Sequence, residues 1–302
     1  MFCKGLLQLR RSQLFVPGND ERKIRKALES LPECDSIVFD LEDAVPPAEK
    51  ASARATIKGT LSKTDLLEKD RRRELCIRIN SIESRYFRDD VDLLRTLEMV
   101  TCVVVPKAEA SAVSELHKLL GEKKLLPLIE TARGLLRIDE VVSCEGVVAV
   151  AYGAADFANS VGGRVEAYMG NLYVKTKIVV SAKSAGVDPL DNVYFKFSDV
   201  EGFRNEASMS RDLGFVGKQV IHPGQIPIAN EIYSPSAEEV RRAAEVIRAY
   251  EDAQGKKLGA LSLNMELVDA VHYRLAKETL AKKDMIDKIS HPASGGKGKR
   301  ED

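Results

Sequence analysis

The chain has no tryptophan, only four histidines and five cysteines in 302 residues, and no net charge, its 46 basic side chains balancing 46 acidic ones. Each shortage removes a class of protein. A neutral chain has no global attraction for nucleic acid or an anionic membrane, which points to small-molecule chemistry. The cysteines (Cys3, Cys34, Cys76, Cys102, Cys144) fall singly, without the CxxC spacing of zinc or redox sites. Cys76 and Cys102 open apolar runs and read as reduced core residues rather than nucleophiles. The longest apolar stretches, such as GVVAVAY, are far below the roughly 18 residues of a membrane-spanning helix. The start, MFCKGLLQLRR, has too short an apolar region for a signal peptide. A soluble, cytoplasmic protein with neither nucleic-acid nor membrane partner is expected.

What is present is alternation. Short apolar runs predict eight strands: SQLFVPG (12–18), SIVFDLED (36–43), LCIRINS (75–81), CVVVPKAE (102–109), LLPLIET (125–131), GVVAVAYGAADF (146–157), DNVYFKF (191–197) and GKQVIHP (217–223). Rich in Val, Ile and Leu on both faces, they suit parallel strands covered on both sides. Amphipathic patterns fall between them. After the first run, Asn19 or Asp20 can cap a helix whose Ile24, Ala27, Leu28 and Leu31 share a face. Further helices read around 48–61, 87–98, 111–120, 133–142, 166–185 and 203–212. Eight strands alternating with helices is the count of a TIM (β/α)8 barrel, although a doubly wound open sheet shows the same alternation. LFVPGNDER after the first strand has one glycine and no GxGxxG, against a dinucleotide fold. A capped helix beginning near Pro235, a connector and a last helix follow. The expected organisation is a catalytic barrel over 1–255, a C-terminal helical extension over 256–286, and a tail without apolar content, disordered, over 287–302.

In such a barrel the carboxyl ends of the strands face the active site. Polar side chains recur there: Asp40, Glu42, Asp43, Arg78, Asn80, Lys107, Glu130, Asp156 and His222. Glu130 and Asp156 follow neighbouring runs, so two hard oxygen ligands would emerge side by side, suited to a Mg²⁺ that keeps sites for substrate. The alternative is that each makes an ion pair or caps the next helix. Arg78 offers a planar fork to a carboxylate or developing oxyanion, or bridges Asp40 and Glu42. Lys107 could form a Schiff base or neutralise the acids; the metal pair argues for the second. His222 could move protons or be structural. The run Arg71, Arg72, Arg73 reads as solvated surface.

Seven segments in order, LFVPGNDERKIRKAL, VFDLEDAVPPAEKASAR, IRIN, VVPKAE, IETARGLL, GAADF and GFVGKQVIHPGQI, resemble the citrate lyase β-subunit family, which includes malyl-CoA and citramalyl-CoA lyases and the HpcH/HpaI aldolases. The resemblance implies a TIM barrel, Mg²⁺, a CoA-thioester substrate and a homotrimer or homohexamer, with an acyl-carrier protein as partner in the citrate lyase type. It implies Glu130 and Asp156 as metal ligands and Arg78 as the group that holds substrate oxygens. Phe15, Arg22, Lys26 and the backbone at Val220 and Ile221 match thioester-contacting positions. From their own placement, Glu42 and Asp43 are candidates to take the hydroxyl proton or to hold metal-bound water, with Lys107 and His222 also supporting the metal site. Relatives close a C-terminal segment over a neighbouring subunit's site and supply an aspartate as acid or base. Here Glu266 to Ala270 preserves that residue as Asp269 but lacks the family's methionine, base and proline. The implied reaction is a reversible Claisen-type cleavage to acetyl-CoA and a 2-oxo acid. A metal aldolase on free acids, a thioesterase and a carrier-dependent subunit are the alternatives.

Overall fold

The computed structural model describes residues 8–63, 73–255, 261–263 and 266–290; Cys3, Arg71, Arg72 and the segment 291–302 lie outside them. Eight parallel strands close in sequence order: β1 (Ser12–Pro17), β2 (Ser36–Asp40), β3 (Glu74–Arg78), β4 (Cys102–Val105), β5 (Lys124–Ile129), β6 (Ala149–Tyr152), β7 (Asp188–Asp191) and β8 (Gly217–Val220), with β8 pairing back onto β1. The open-sheet alternative is excluded by that closure. The two-residue period of each strand divides the apolar side chains. Val38, Cys76, Cys102, Val104, Leu126, Leu128, Ala149, Ala151 and Leu190 fill the barrel. Their neighbours, among them Ile37, Phe39, Ile77, Val103 and Ile129, pack outward against helices.

The first helix, Glu21–Ser30, shows how local sequence sets this arrangement. Asp20 caps it by accepting from Lys23 N at 3.0 Å, and Ile24, Ala27 and Leu28 are buried, leaving Arg22, Lys23 and Lys26 exposed. Arg73, read from sequence as solvated surface, is half-buried and donates to the carbonyls of Ala27, Leu28 and Leu31 at the end of this helix. Its fork satisfies acceptors that a helix leaves without partners. Other patterns are interrupted: 133–142 is two short helices, Ala132–Leu136 and Ile138–Val142, and 166–185 breaks at Gly170 between Val165–Met169 and Leu172–Ala185.

β7 also differs from expectation. It is Asp188–Asp191, not 191–197, and Phe195 and Phe197 are exposed in the loop beyond it. Asp and Pro are depleted in strands, so DPLD lacks a strand signature, while the alternating VYFKF mimics one. Outside this short strand lies a buried ionic cluster. Lys175 and Lys218 both reach Asp191, at 2.9 Å and 2.8 Å, and Lys218 also meets Glu206 at 2.6 Å. The amino-terminal end of the barrel is tied by Arg10, which grips both oxygens of Glu74 (2.6 and 2.7 Å) and reaches Asp188. Cys76 and Cys102 are fully buried, as core residues should be, and lie near Glu74. That carboxylate is already spent on Arg10, which leaves the trio a packing role.

By its internal contacts the chain divides at Tyr233/Ser234, so the helix Ala237–Gly255 belongs to the C-terminal unit rather than to the barrel. Ser236 and Glu239 cap that helix reciprocally, Glu239 N to Ser236 Oγ at 3.1 Å and Ser236 N to Glu239 Oε2 at 2.7 Å. An antiparallel pair, β9 (Leu261–Leu263) and β10 (Glu266–Val268), and the helix Ala270–Ser290 complete the unit around Ala243, Val246, Tyr250, Val268 and Ala276. The last helix thus runs four residues into the segment expected to be disordered. Among the described residues, no helix is long and apolar enough to cross a membrane.

Candidate active site

At the carboxyl ends of the strands the inward positions turn from apolar to polar. Val38 is followed two residues on by Asp40, Cys76 by Arg78, and Leu128 by Glu130, so the same face that packs the barrel carries the site. Register sets the first contact. Asp40 on β2 is the partner of Arg78 on β3, and Arg78 donates to it through Nε at 2.7 Å and Nη2 at 2.6 Å. The guanidinium also lies 5.4 Å from the centre of the Phe15 ring.

Glu42, buried two residues beyond β2, is shared. Its Oε1 accepts from Lys107 Nζ at 2.9 Å, and its Oε2 stands 3.0 Å from Arg78 Nη1 without the geometry of a hydrogen bond. Burial raises its carboxyl above the usual range despite Arg78. Lys107 has φ 46°, a left-handed conformation costly for a residue with a side chain. It turns the backbone so that Lys107 N donates to Glu130 Oε1 at 2.7 Å while Nζ reaches Glu42. Burial opposes the charge on Lys107, but the hydrogen bond and charge of Glu42 outweigh it and raise the pKa. A Schiff-base lysine needs the opposite shift, so the neutralising role fits and the nucleophilic one does not.

Glu130 is the most perturbed acid of the site. Burial, then the charge of Glu42 and, after the opposing Lys107 N–H and Arg78, that of Asp156, push its pKa up to about 8. It packs on Gly153, where an added Cβ would stand 2.6 Å from Glu130 Oε2. Asp156 is half-buried in the first turn of the helix Ala154–Ser160 and not on a strand, because β6 ends at Tyr152. Both acids line a cavity of about 820 Å³, together with Phe15, Asp40, Asp43 and Arg78.

Arg22, Lys23 and Lys26, on the helix Glu21–Ser30, line the same cavity. Ile221 and His222 line it as well, while the Val220 side chain points into the outer core. His222 accepts from Gly224 N at 3.1 Å through Nδ1 and stacks on Phe197, ring centres 5.2 Å apart. Those contacts suit the structural role. In the C-terminal unit, Asp269 caps the last helix, accepting from Val271 N at 2.9 Å and pairing with His272 at 2.8 Å. These bonds, His272 first, lower its pKa. Among the lining residues that the sequence did not single out are Lys23, Tyr152, Gly153 and Gln219. Alternation along GKQV would have found Gln219, since Lys218 and Val220 face outward.

The donor set fits a divalent cation. Glu130 and Asp156 offer hard oxygen ligands beside Glu42, whose buried Oε2 has no hydrogen-bond donor. Burial first, and then the crowding of carboxylates, raises Glu130, and a cation there would offset both.

A closed parallel barrel with acids and an arginine at its carboxyl edge defines a TIM-barrel enzyme. The chain belongs to the HpcH/HpaI aldolase/citrate lyase family, whose model matches residues 11–223. It is 34% identical to mitochondrial citramalyl-CoA lyase of Homo sapiens, covering 90% of this chain and 84% of that one. With (3S)-malyl-CoA thioesterase of Cereibacter sphaeroides it shares 33% identity over 91% and 95%. Among solved structures it resembles the protein CitE of Mycobacterium tuberculosis in complex with magnesium, acetoacetate and coenzyme A. That match has a TM-score of 0.76 and 29% identity over 92% of this chain and 99% of the other.

Proposed function

We propose that the protein is a Mg²⁺-dependent carbon–carbon lyase that splits a 3-hydroxyacyl-CoA thioester of the citramalyl-, malyl- or citryl-CoA type into acetyl-CoA and a 2-oxo acid. The observation that carries this reading is one cavity lined by two unlike groups of side chains. Glu130, Asp156 and Arg78 suit a small oxo acid, and the basic side chains of Arg22, Lys23 and Lys26 suit a phosphorylated carrier. The CitE complex with magnesium and coenzyme A supports it.

Glu130 and Asp156 would hold the Mg²⁺, which when bound supplies Lewis-acid polarisation of the oxygen on the cleaved carbon. Arg78, held by Asp40, would lie against the charge that develops there, preorganised so that no reorientation is needed at the moment of reaction. Cleavage removes the hydroxyl proton, turns that C–O into a carbonyl, and passes the electrons of the breaking C–C bond into the thioester enolate, which is then protonated. Glu42, with its raised pKa, is the candidate to receive the hydroxyl proton. Asp269 would serve the enolate carbon, supplied by a partner subunit. An assembly of three or six copies is part of the reading; Tyr173 and Val180, exposed on one face of the helix Leu172–Ala185, are the kind of surface it would cover. So is a cytoplasmic location.

The test is incubation of the purified chain with citramalyl-, malyl- and citryl-CoA, with Mg²⁺ or a chelator, following pyruvate, glyoxylate, oxaloacetate, acetyl-CoA and free CoA. Metal-dependent release of a 2-oxo acid with acetyl-CoA supports the lyase. Free CoA without 2-oxo acid would establish a thioesterase, the activity named for the Cereibacter relatives. Silence on all three with an intact fold would indicate a carrier-dependent subunit or free-acid aldolase.

A further inference from the structure

Gln219 is 4% exposed, lines the cavity, and is held from one side only. Its Nε2 donates to Tyr152 O at 2.8 Å and to Asp191 O at 3.2 Å, the carbonyls that end β6 and β7. Two carbonyl acceptors take both N–H bonds and fix the amide orientation, since the reverse would set oxygen against oxygen. Oε1 is then the free polar atom, and no described side chain or backbone group donates to it. Tyr152 O belongs to the peptide that continues into Gly153, the residue on which Glu130 packs. Gln219 therefore stands in the cavity floor one peptide from the residue that Glu130 packs on, and the apolar Leu128 lines the same cavity.

Around this floor the positive charge is already committed. Arg78 is taken by Asp40 and faces Glu42, and Lys107 is taken by Glu42. Lys218, next to Gln219 in sequence, faces outward to Asp191 and Glu206. The cations that line the cavity elsewhere, Arg22, Lys23 and Lys26, lie on the surface helix Glu21–Ser30. A carboxylate placed against the floor would meet the amide oxygen of Gln219 and the apolar side chain of Leu128, while the cation held by Glu130 and Asp156 is taken up by the oxo-acid half, so it would be desolvated without a partner.

We infer that Gln219 selects substrate by the group attached to the hydroxyl-bearing carbon. Hydrogen or methyl is accepted, as in malyl- and citramalyl-CoA, and a carboxymethyl arm, as in citryl-CoA, is rejected. The inference rests on the lyase reading and narrows it. Specificity of this kind comes from withholding a partner from the wrong substrate as well as fitting the right one.

The experiment compares kcat/KM for the three thioesters in wild type, Gln219→Lys and Gln219→Met, with thermal unfolding of each. An ammonium at position 219 can donate to the same two carbonyls and still offer positive charge to the cavity. Wild type should favour malyl- or citramalyl-CoA over citryl-CoA by about 100-fold or more, and Gln219→Lys should shift that ratio toward citryl-CoA by about tenfold or more. Gln219→Met, neutral and of similar size, should keep the rejection of citryl-CoA. A wild-type preference for citryl-CoA, or an unchanged ratio in a folded Gln219→Lys protein, would overturn the inference while leaving the lyase intact. If Gln219→Lys does not fold, the same shift toward citryl-CoA is expected of Gln219→Arg, and an unchanged ratio in that folded protein overturns the inference. Inactivity of wild type on all three would instead overturn the lyase reading itself.

Discussion

Replacing Glu130 by glutamine should stabilise the metal-free protein near neutral pH, although it removes the central group of the site. The carboxyl ionises in the unfolded chain near 4.5 but in the folded protein only near 8. Between these values the folded state holds a proton that the unfolded state has lost, so stability falls as pH rises through this window. It is fully present below pH 4.5 and lost above pH 8. Worked through, that is about 3 kcal/mol lost by pH 7 and about 5 kcal/mol above pH 8, as upper bounds. Glutamine keeps an oxygen for Lys107 N–H and carries no charge. In Mg²⁺-free buffer, Glu130→Gln should therefore melt higher than wild type by up to about 6 to 12 °C at pH 7, with the gap closing toward pH 4.5. Added Mg²⁺ should raise the wild-type melting temperature and leave the variant unmoved. Calorimetry at pH 4.5, 7 and 8.5, with and without Mg²⁺, measures all of this. A metal-free variant that melts below wild type at pH 7, or a gap that does not depend on pH, refutes the reasoning.

Four further substitutions probe the same architecture. Gly153→Ala would drive a methyl against Glu130 (2.6 Å to its Cβ and Oε2), so Mn²⁺ affinity by titration should fall about tenfold or more with the fold retained. Arg78→Lys loses the two-pronged grip on Asp40 and should cost about 10²- to 10³-fold in kcat; unchanged kcat would remove Arg78 from the chemistry. Arg78→Ala, leaving Asp40 and Glu42 buried without it, should destabilise by about 3 to 5 kcal/mol in urea titrations. Gly217→Ala would place Cβ 1.7 Å from the carbonyl oxygen of Arg10, a backbone atom that cannot yield, and should cost more than about 4 kcal/mol or prevent folding.

The strands and the positions at their ends were legible because two forces write themselves plainly into sequence. Burial on both faces demands continuous apolar runs, and a carboxylate beside such a run is costly enough to need a reason. Asp40, Arg78 and Glu130 were placed on those grounds, and the structure brings them to one edge. What sequence hid depends on tertiary partners. DPLD is a strand because β6 and β8 pair with it, not through propensity. Asp156 sits on a helix because β6 stops at Tyr152, which the longer run GVVAVAYGAADF disguises. Arg73 looks like part of a surface charge run until the end of a helix is set beside it. Gln219 gave no signal beyond its alternation, since a glutamine in a strand is unremarked until its two carbonyl partners are known.

The cluster of Lys175, Lys218, Asp191 and Glu206 constrains how this barrel can change over generations. Its four charges cancel, and Asp191 is gripped by two lysines from different elements. A change of any one member leaves an uncompensated charge in the interior, at about 3 to 5 kcal/mol, a large share of the whole stability of a domain. Paired replacement by apolar residues of similar volume need cost little, but neither half of the pair is tolerable alone. The cluster is thus a trap for single-step mutation. Descendant sequences should keep all four residues or replace opposite charges together, however freely the surrounding surface drifts.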